Sequence, residues 1–402
     1  MERLRKGSNM VKTNISLDPT KTGREAESLE GSLHRLIVGQ DDAIQQIVNI
    51  YQMHLTGMSA PGRPIGNFLF LGPTGSGKTR IVEATAECLL KNPRAVIKID
   101  CGEFQHSHEI AKLIGSPPGY LGHRETHPLL SQEVLGQYHT DQMKVSFVLF
   151  DEIEKASDAL WNLLLGILDK ATLTLGDNRK VDFSRAMIFM TSNLGATEMS
   201  ALMNPRVGFC APEQARKTAA GEIDEKLNVK MRNSSVEAAR RKFTPEFINR
   251  LDKIVTFRPL GCEELRRILD IELNLVQQRI FSTNPERAFI FKITEAGKGH
   301  LLEEGTDLKY GARHLKRAIE RLVVQPMSNL IATDQVRGGD WVKVDFDSER
   351  RSMTFTREAE GLPVTAMADL MDHPMSAPSF AMAAGAAYEP VRAASAKSSR
   401  KS

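Results

Sequence analysis

Cysteine is scarce: four residues in 402, at positions 88, 101, 210 and 262, with no C-x-x-C pair among them. That spacing excludes a disulfide-stapled scaffold and a zinc module built on paired cysteines, and it suits reduced thiols in a cytoplasmic protein. Aromatic side chains make up only 6% of the chain. No basic stripe with interleaved aromatics is present, so nucleic acid is not an expected partner. The net charge of +3 is too small to demand DNA or an anionic membrane. No apolar run is long enough to span a bilayer, and the opening stretch 1–5 lacks the apolar centre of a secretory signal. Internal repeats are missing too. What remains is a globular composition, 41% hydrophobic and 26% charged, with length for two or three domains.

Residues 1–32 read as a polar N-terminal segment. From 33 to 258, short apolar strands alternate with amphipathic helices. Strands are predicted at 67–71, 95–99, 146–150 and 186–190, which implies an α/β unit with a parallel sheet covered by helices. Residues 196–242 break this rhythm and read as a long loop plus a helix. A smaller, mainly helical α+β unit is predicted over 259–357, with helices at 263–276 and 313–331 and closing strands at 341–346 and 352–356. From 358 to 402 the composition turns to Ala, Ser, Met and Pro, which predicts a disordered tail.

The chemistry starts at Gly72, Pro73, Thr74, Gly75, Ser76, Gly77, Lys78 and Thr79, which spell G-x-x-x-x-G-K-[ST]. An apolar strand precedes them and a helical pattern follows, the context a phosphate-binding loop needs. Glycines let backbone N–H groups curl around phosphate oxygens, and the helix N-terminus adds partial positive charge. Lys78 would reach the β- and γ-phosphates of ATP, and the Thr79 hydroxyl would ligate Mg²⁺. A second apolar strand, Val145–Phe150, runs into Asp151 and Glu152. Asp151 can hold Mg²⁺ through water, and Glu152 can polarise the attacking water as a base. A third strand ends at Asn193. Strand ends gather at one edge of a parallel sheet, where an amide can contact the γ-phosphate or the water.

Gly115–Gly122 is a constrained loop of glycines and prolines around Tyr120 and Leu121. Its apolar tip points to a partner, because soluble proteins rarely expose such a tip without one. Five histidines, at 106, 108, 123, 127 and 139, raise a metal reading. His123 and His127 are four apart, but nearby glycines oppose a helix there, so the histidines are expected to be polar loop residues.

These motifs, in this order, resemble the Clp branch of the AAA+ ATPases, and most of all the second ATPase module of ClpB- and ClpC-type unfoldases. The resemblance covers roughly residues 33–346. It implies an adenine-side contact at Val38, within Ile37–Gln40. It makes Asn193 a first sensor. Arg250, in the stretch Phe243–Asp252, becomes an arginine finger reaching a neighbouring subunit's γ-phosphate, and Arg313 a second sensor touching phosphate in its own subunit. Tyr120 becomes the pore-loop residue that grips unfolded polypeptide in the channel of a hexamer. The sequence departs from the family over 123–127, where histidines replace a glycine-rich continuation, and the link to Asp151 through 137–143 is long. Val207, Gly208 and Phe209 resemble the tripeptide with which ClpC-type proteins dock a ClpP-type peptidase. The implied function is ATP-driven unfolding of unfolded or misfolded polypeptides, threaded through a ring pore. The alternative is a nucleotide-dependent switch or loader acting on a folded partner or DNA. The tip at Tyr120 favours threading.

Overall fold

A computed structural model describes residues 18–116, 128–196, 198–199, 222–283, 287–305 and 312–363. Tyr120 and Leu121, and the tripeptide Val207, Gly208 and Phe209, lie outside the described residues.

The larger sheet has five parallel strands: β1 (Gly66–Leu71), β2 (Val96–Asp100), β3 (Ser146–Asp151), β6 (Ala186–Ser192) and β7 (Lys253–Thr256), in the order β2-β3-β6-β1-β7. Every residue of β1 is buried, the pattern of a strand covered on both faces. Alternation divides its side chains between two cores. Leu69 and Leu71 face one with Val148, Phe150, Ile188 and Met190. Phe68 and Phe70 face the other with Phe147, Leu149, Met187 and Phe189. Phe68 stacks on Phe189 with centroids 4.9 Å apart. A hairpin, β4 (Thr172–Thr174) and β5 (Lys180–Asp182), lies outside this sheet.

The folded chain begins earlier than the sequence predicts. Helix α1 (Arg24–Leu36) buries Ala26, Leu29 and Leu33 on the second core, beside α2 (Asp41–Leu55). Three apolar positions in a polar segment are a thin signal, which is why 24–32 reads as unpatterned. β7 was also unpredicted. It is four residues long with one fully buried side chain, and its pairing with β1 creates the strand.

The smaller unit holds a second sheet, β10-β9-β8, made of β8 (Ile290–Ile293), β9 (Trp341–Asp347) and β10 (Ser352–Ala359). The predicted closing pair is there, antiparallel, and β8 adds a parallel third strand. β10 runs past 357, and Leu362 N–H donates to the Gly339 carbonyl, so the ordered chain extends into the stretch read as tail. The helix predicted at 313–331 is interrupted. Ala312–Ile319 and Gln325–Ala332 are joined by a π-helical turn, Glu320–Val324. Pro326 cannot donate to the carbonyl four residues back, and the wider turn absorbs that defect.

Candidate functional site

The loop 72–77 leaves β1 and enters α3 (Lys78–Leu90). Its turn demands glycine. Gly77 caps the helix at φ 99°. A side-chain carbon on Gly72 would stand 2.6 Å from the Phe257 carbonyl oxygen. Gln40, buried, ties the loop to the chain after β7, donating to the carbonyls of Ser76 at 3.1 Å and Arg258 at 2.9 Å. Val38 is half-buried beside it.

Lys78 Nζ donates to the carbonyls of Gly72 (2.7 Å) and Pro73 (2.9 Å) and to Asn193 Oδ1 (3.0 Å). Burial pushes its pKa down to about 8, against the pull of Asp151, Glu154 and Glu152, with Arg313 adding to the fall. Asn193 Nδ2 in turn donates to Glu152 Oε1 at 3.3 Å, and Asn193 N–H to Glu154 Oε1 at 3.1 Å. Thr191, on β6 next to β3, donates its hydroxyl to Asp151 and accepts from the Glu152 N–H at 3.1 Å. The sheet therefore brings Lys78, Asp151, Glu152 and Asn193 together in one hydrogen-bonded cluster at the C-terminal strand ends, with Thr79 half-buried at the start of α3. Nearby, burial and the surrounding acids push the Cys101 thiol up.

Sequence reasoning missed three members of this site. Thr191 and Gln40 escape it because their roles depend on contacts to β3 and to Arg258. Glu154 is the more telling omission. Its Oε1 accepts from the Asn193 N–H, while its Oε2 is buried without a hydrogen-bond partner. Asp151 and Thr79 are the hard oxygen ligands that would hold Mg²⁺ beside a phosphate group.

The two arginines are placed differently. The Ala312 N–H donates to the Gly75 carbonyl at 3.2 Å, so the helix carrying Arg313 touches the phosphate loop of its own chain. Arg250 sits at the other end of the sheet. Its carbonyl accepts from Asn67 Nδ2 at 3.3 Å, at the start of β1. Its guanidinium donates to the Leu165 carbonyl at 2.6 Å and to Glu246 at 2.8 Å. About 17 Å of β1 runs between the Asn67 contact of the Arg250 carbonyl and the phosphate loop.

Two family models match the chain: the AAA domain (Cdc48 subfamily) over residues 63–254, and the C-terminal, D2-small domain, of ClpB protein over residues 260–344. ClpC, the ATP-binding subunit of an ATP-dependent Clp protease from Staphylococcus saprophyticus, is 35% identical over 83% of this chain and 38% of its own length. The chaperone protein ClpB of Rhodopirellula baltica is 35% identical, over 80% of this chain and 33% of its own. Among solved structures, a Saccharomyces cerevisiae Hsp104:casein complex matches with a TM-score of 0.67 and 28% identity, over 83% of this chain and 53% of that one. A closed-state Hsp104 with ATPγS and FITC casein matches with a TM-score of 0.65 and 27% identity, over 82% and 52%. The chain thus spans little more than a third of the curated relatives it matches.

Proposed function

Because the chain belongs to the Clp branch of the AAA ATPases, we propose that it hydrolyses ATP in order to unfold polypeptide drawn through the pore of a hexameric ring. The observation that carries this reading is the continuous hydrogen-bonded path from Lys78 through Asn193 to Glu152 at the strand ends. Lys78 binds phosphate oxygens, and Asn193 orients both that ammonium and the Glu152 carboxylate. Glu152 takes the proton of the attacking water. Mg²⁺, held by Asp151 and Thr79, would neutralise charge on the β- and γ-phosphates when bound. Arg313 senses the nucleotide in its own chain, and Arg250 reaches that of a neighbour. Val38 borders the adenine. Residues 33–258 and 259–357 act as the large and small units of this motor.

Tyr120 and Leu121 supply the grip on an unfolded or misfolded chain, and Val207, Gly208 and Phe209 supply a contact for a ClpP-type peptidase. A cytoplasmic location accompanies the reading. Among the described residues, no helix is long and apolar enough to cross a membrane. The test is ATP turnover with added unfolded polypeptide against added DNA, alongside unfolding of a fluorescent substrate with and without a ClpP-type peptidase. Stimulation by polypeptide together with substrate unfolding supports threading. Stimulation by DNA alone, with no unfolding, overturns it.

A further inference from the structure

β7 is the outer strand of the five-stranded sheet, and among the described residues no strand pairs its far edge. The Asp252 N–H donates to the Asn67 carbonyl at 2.9 Å, so alternation turns the N–H and C=O groups of Lys253 and Val255 away from β1. None of these groups bonds to a described residue. A groove of 750 Å³ opens along this edge. One wall is α2, through Asp42 and Gln46, and the other is the helix Glu222–Lys242, through Val236. α2 packs on the core that holds Phe68 and Phe70, and Val236 on the core that holds Leu69 and Leu71. The groove therefore lies between the two layers, where a further strand would continue the sheet. Val229, two helical turns before Val236 on the same face, is an apolar side chain left 53% exposed. Opposite it, Gln46 donates to Asp42 at 3.3 Å and leaves its Oε1 buried without a partner. One wall is apolar and the other polar.

The chain carries a segment with matching faces. Val11, Thr13, Ile15 and Leu17 alternate with Lys12, Asn14 and Ser16, the period-two pattern of a strand with one apolar and one polar side. These residues lie outside the described ones, but their point of attachment does not. The Gly23 N–H donates to Gln52 Oε1 at 3.2 Å, which fixes the entry to α1 beside α2. Gln46 is about 9 Å along α2 from Gln52, and the six residues 18–23 can span up to about 20 Å. The direction follows as well. Gln40, at the start of α2, bonds to Arg258 just beyond β7, so α2 runs opposite to β7 and Gln52 lies towards the start of that strand. A segment leading to Gly23 enters from the far end of β7.

We propose that residues 11–17 dock in this groove of their own chain as a sixth strand, antiparallel to β7. Val11, Thr13, Ile15 and Leu17 face Val229 and Val236, while Lys12, Asn14 and Ser16 face Asp42 and the unpartnered oxygen of Gln46. Backbone bonds to Lys253 and Val255 supply the affinity. The two unlike faces fix the register, because a slip of one residue would turn the apolar set onto the polar wall. An open sheet edge pairs with any extended polypeptide, and the segment closes this one against such pairing.

The experiment follows amide hydrogen exchange at Lys253 in the full chain, for wild type and for a variant carrying both Asn14→Pro and Ile15→Pro. Neighbouring residues of a strand point their N–H groups to opposite sides, so one of the two prolines removes a donor to β7 whatever the register. In wild type the Lys253 amide exchanges about 10²-fold or more slowly than in the variant. Exchange at Phe70, inside the sheet, is equal in the two chains. A synthetic peptide of residues 9–17, added in excess to the variant, restores the protection, and the same peptide with both prolines does not. Equal exchange at Lys253 in wild type and variant overturns the proposal, as does a change there that Phe70 matches. Protection that persists in the variant and is lost on dilution overturns it too, by making a second copy the occupant.

Discussion

Glu152 adopts a left-handed backbone conformation, φ 55°, at the end of β3. A non-glycine residue there costs about 1 kcal/mol or more, and here that conformation places the carboxylate beside Asn193 instead of continuing the strand. Glu152→Gln keeps the shape and removes the base. The expected result is ATP binding at wild-type affinity with turnover down about 10²-fold or more, read by nucleotide titration and phosphate release. Lys78 gives a pH-dependent test. With its pKa at about 8, the lysine is charged below that pH in the free protein and neutral above it. Its folded pKa is depressed, so its contribution to stability rises as pH increases through 8 towards the unfolded value. Polyphosphate restores the charge. Nucleotide binding at pH 9 should therefore take up close to about one proton, and at pH 6.5 almost none. Calorimetry in buffers of different ionisation heat measures this, and Lys78→Arg, which stays charged, abolishes the uptake. The residues legible in the sequence were those fixed by local spacing: the loop glycines, Lys78, Asp151 and Glu152. Glu154 and Gln40 act through side chains that reach across strands or loops, and local spacing carries no mark of such reach.

At the scale of elements, the Ala312–Gly75 hydrogen bond makes the helix Ala312–Ile319 an extension of the phosphate loop. That helix packs Leu315 and Ile319 into the core of the small unit, which ties the phosphate loop to the position of the second sheet. Arg313 is exposed, so Arg313→Ala leaves the melting temperature close to wild type while ATP turnover falls about tenfold, the scale of one charge-assisted hydrogen bond. Equal losses in melting temperature and activity would refute a nucleotide contact. Elements with strong internal patterns were legible: β1, β3, β6, α3, and the β9–β10 pair. β7 and β8 were not, because four-residue strands owe their existence to a partner. The π-helical turn was hidden as well, since helical periodicity on each side of it continues almost unbroken.

For the whole molecule, the decisive placement is that of Arg250, at the N-terminal end of the sheet and across β1 from its own phosphate loop. In the proposed ring, such a residue would serve the neighbour. Arg250→Ala should lose roughly 10³-fold in hydrolysis at unchanged ATP affinity. Mixed with Glu152→Gln subunits, it should regain activity at interfaces that pair an intact Glu152 with an intact neighbouring Arg250. Mixtures with confirmed subunit exchange and no recovery would sink action across the interface. The same sheet has a consequence during synthesis. β1 is flanked by β6 and β7, and Leu71 pairs with Ser192 and Thr256. A ribosome emits that last partner about 185 residues after Leu71, a wait of about 10–40 s. Ser192 of β6 comes first, about 120 residues after Leu71, so β1 can join β2, β3 and β6 on one side while its other edge stays unpaired until β7 arrives.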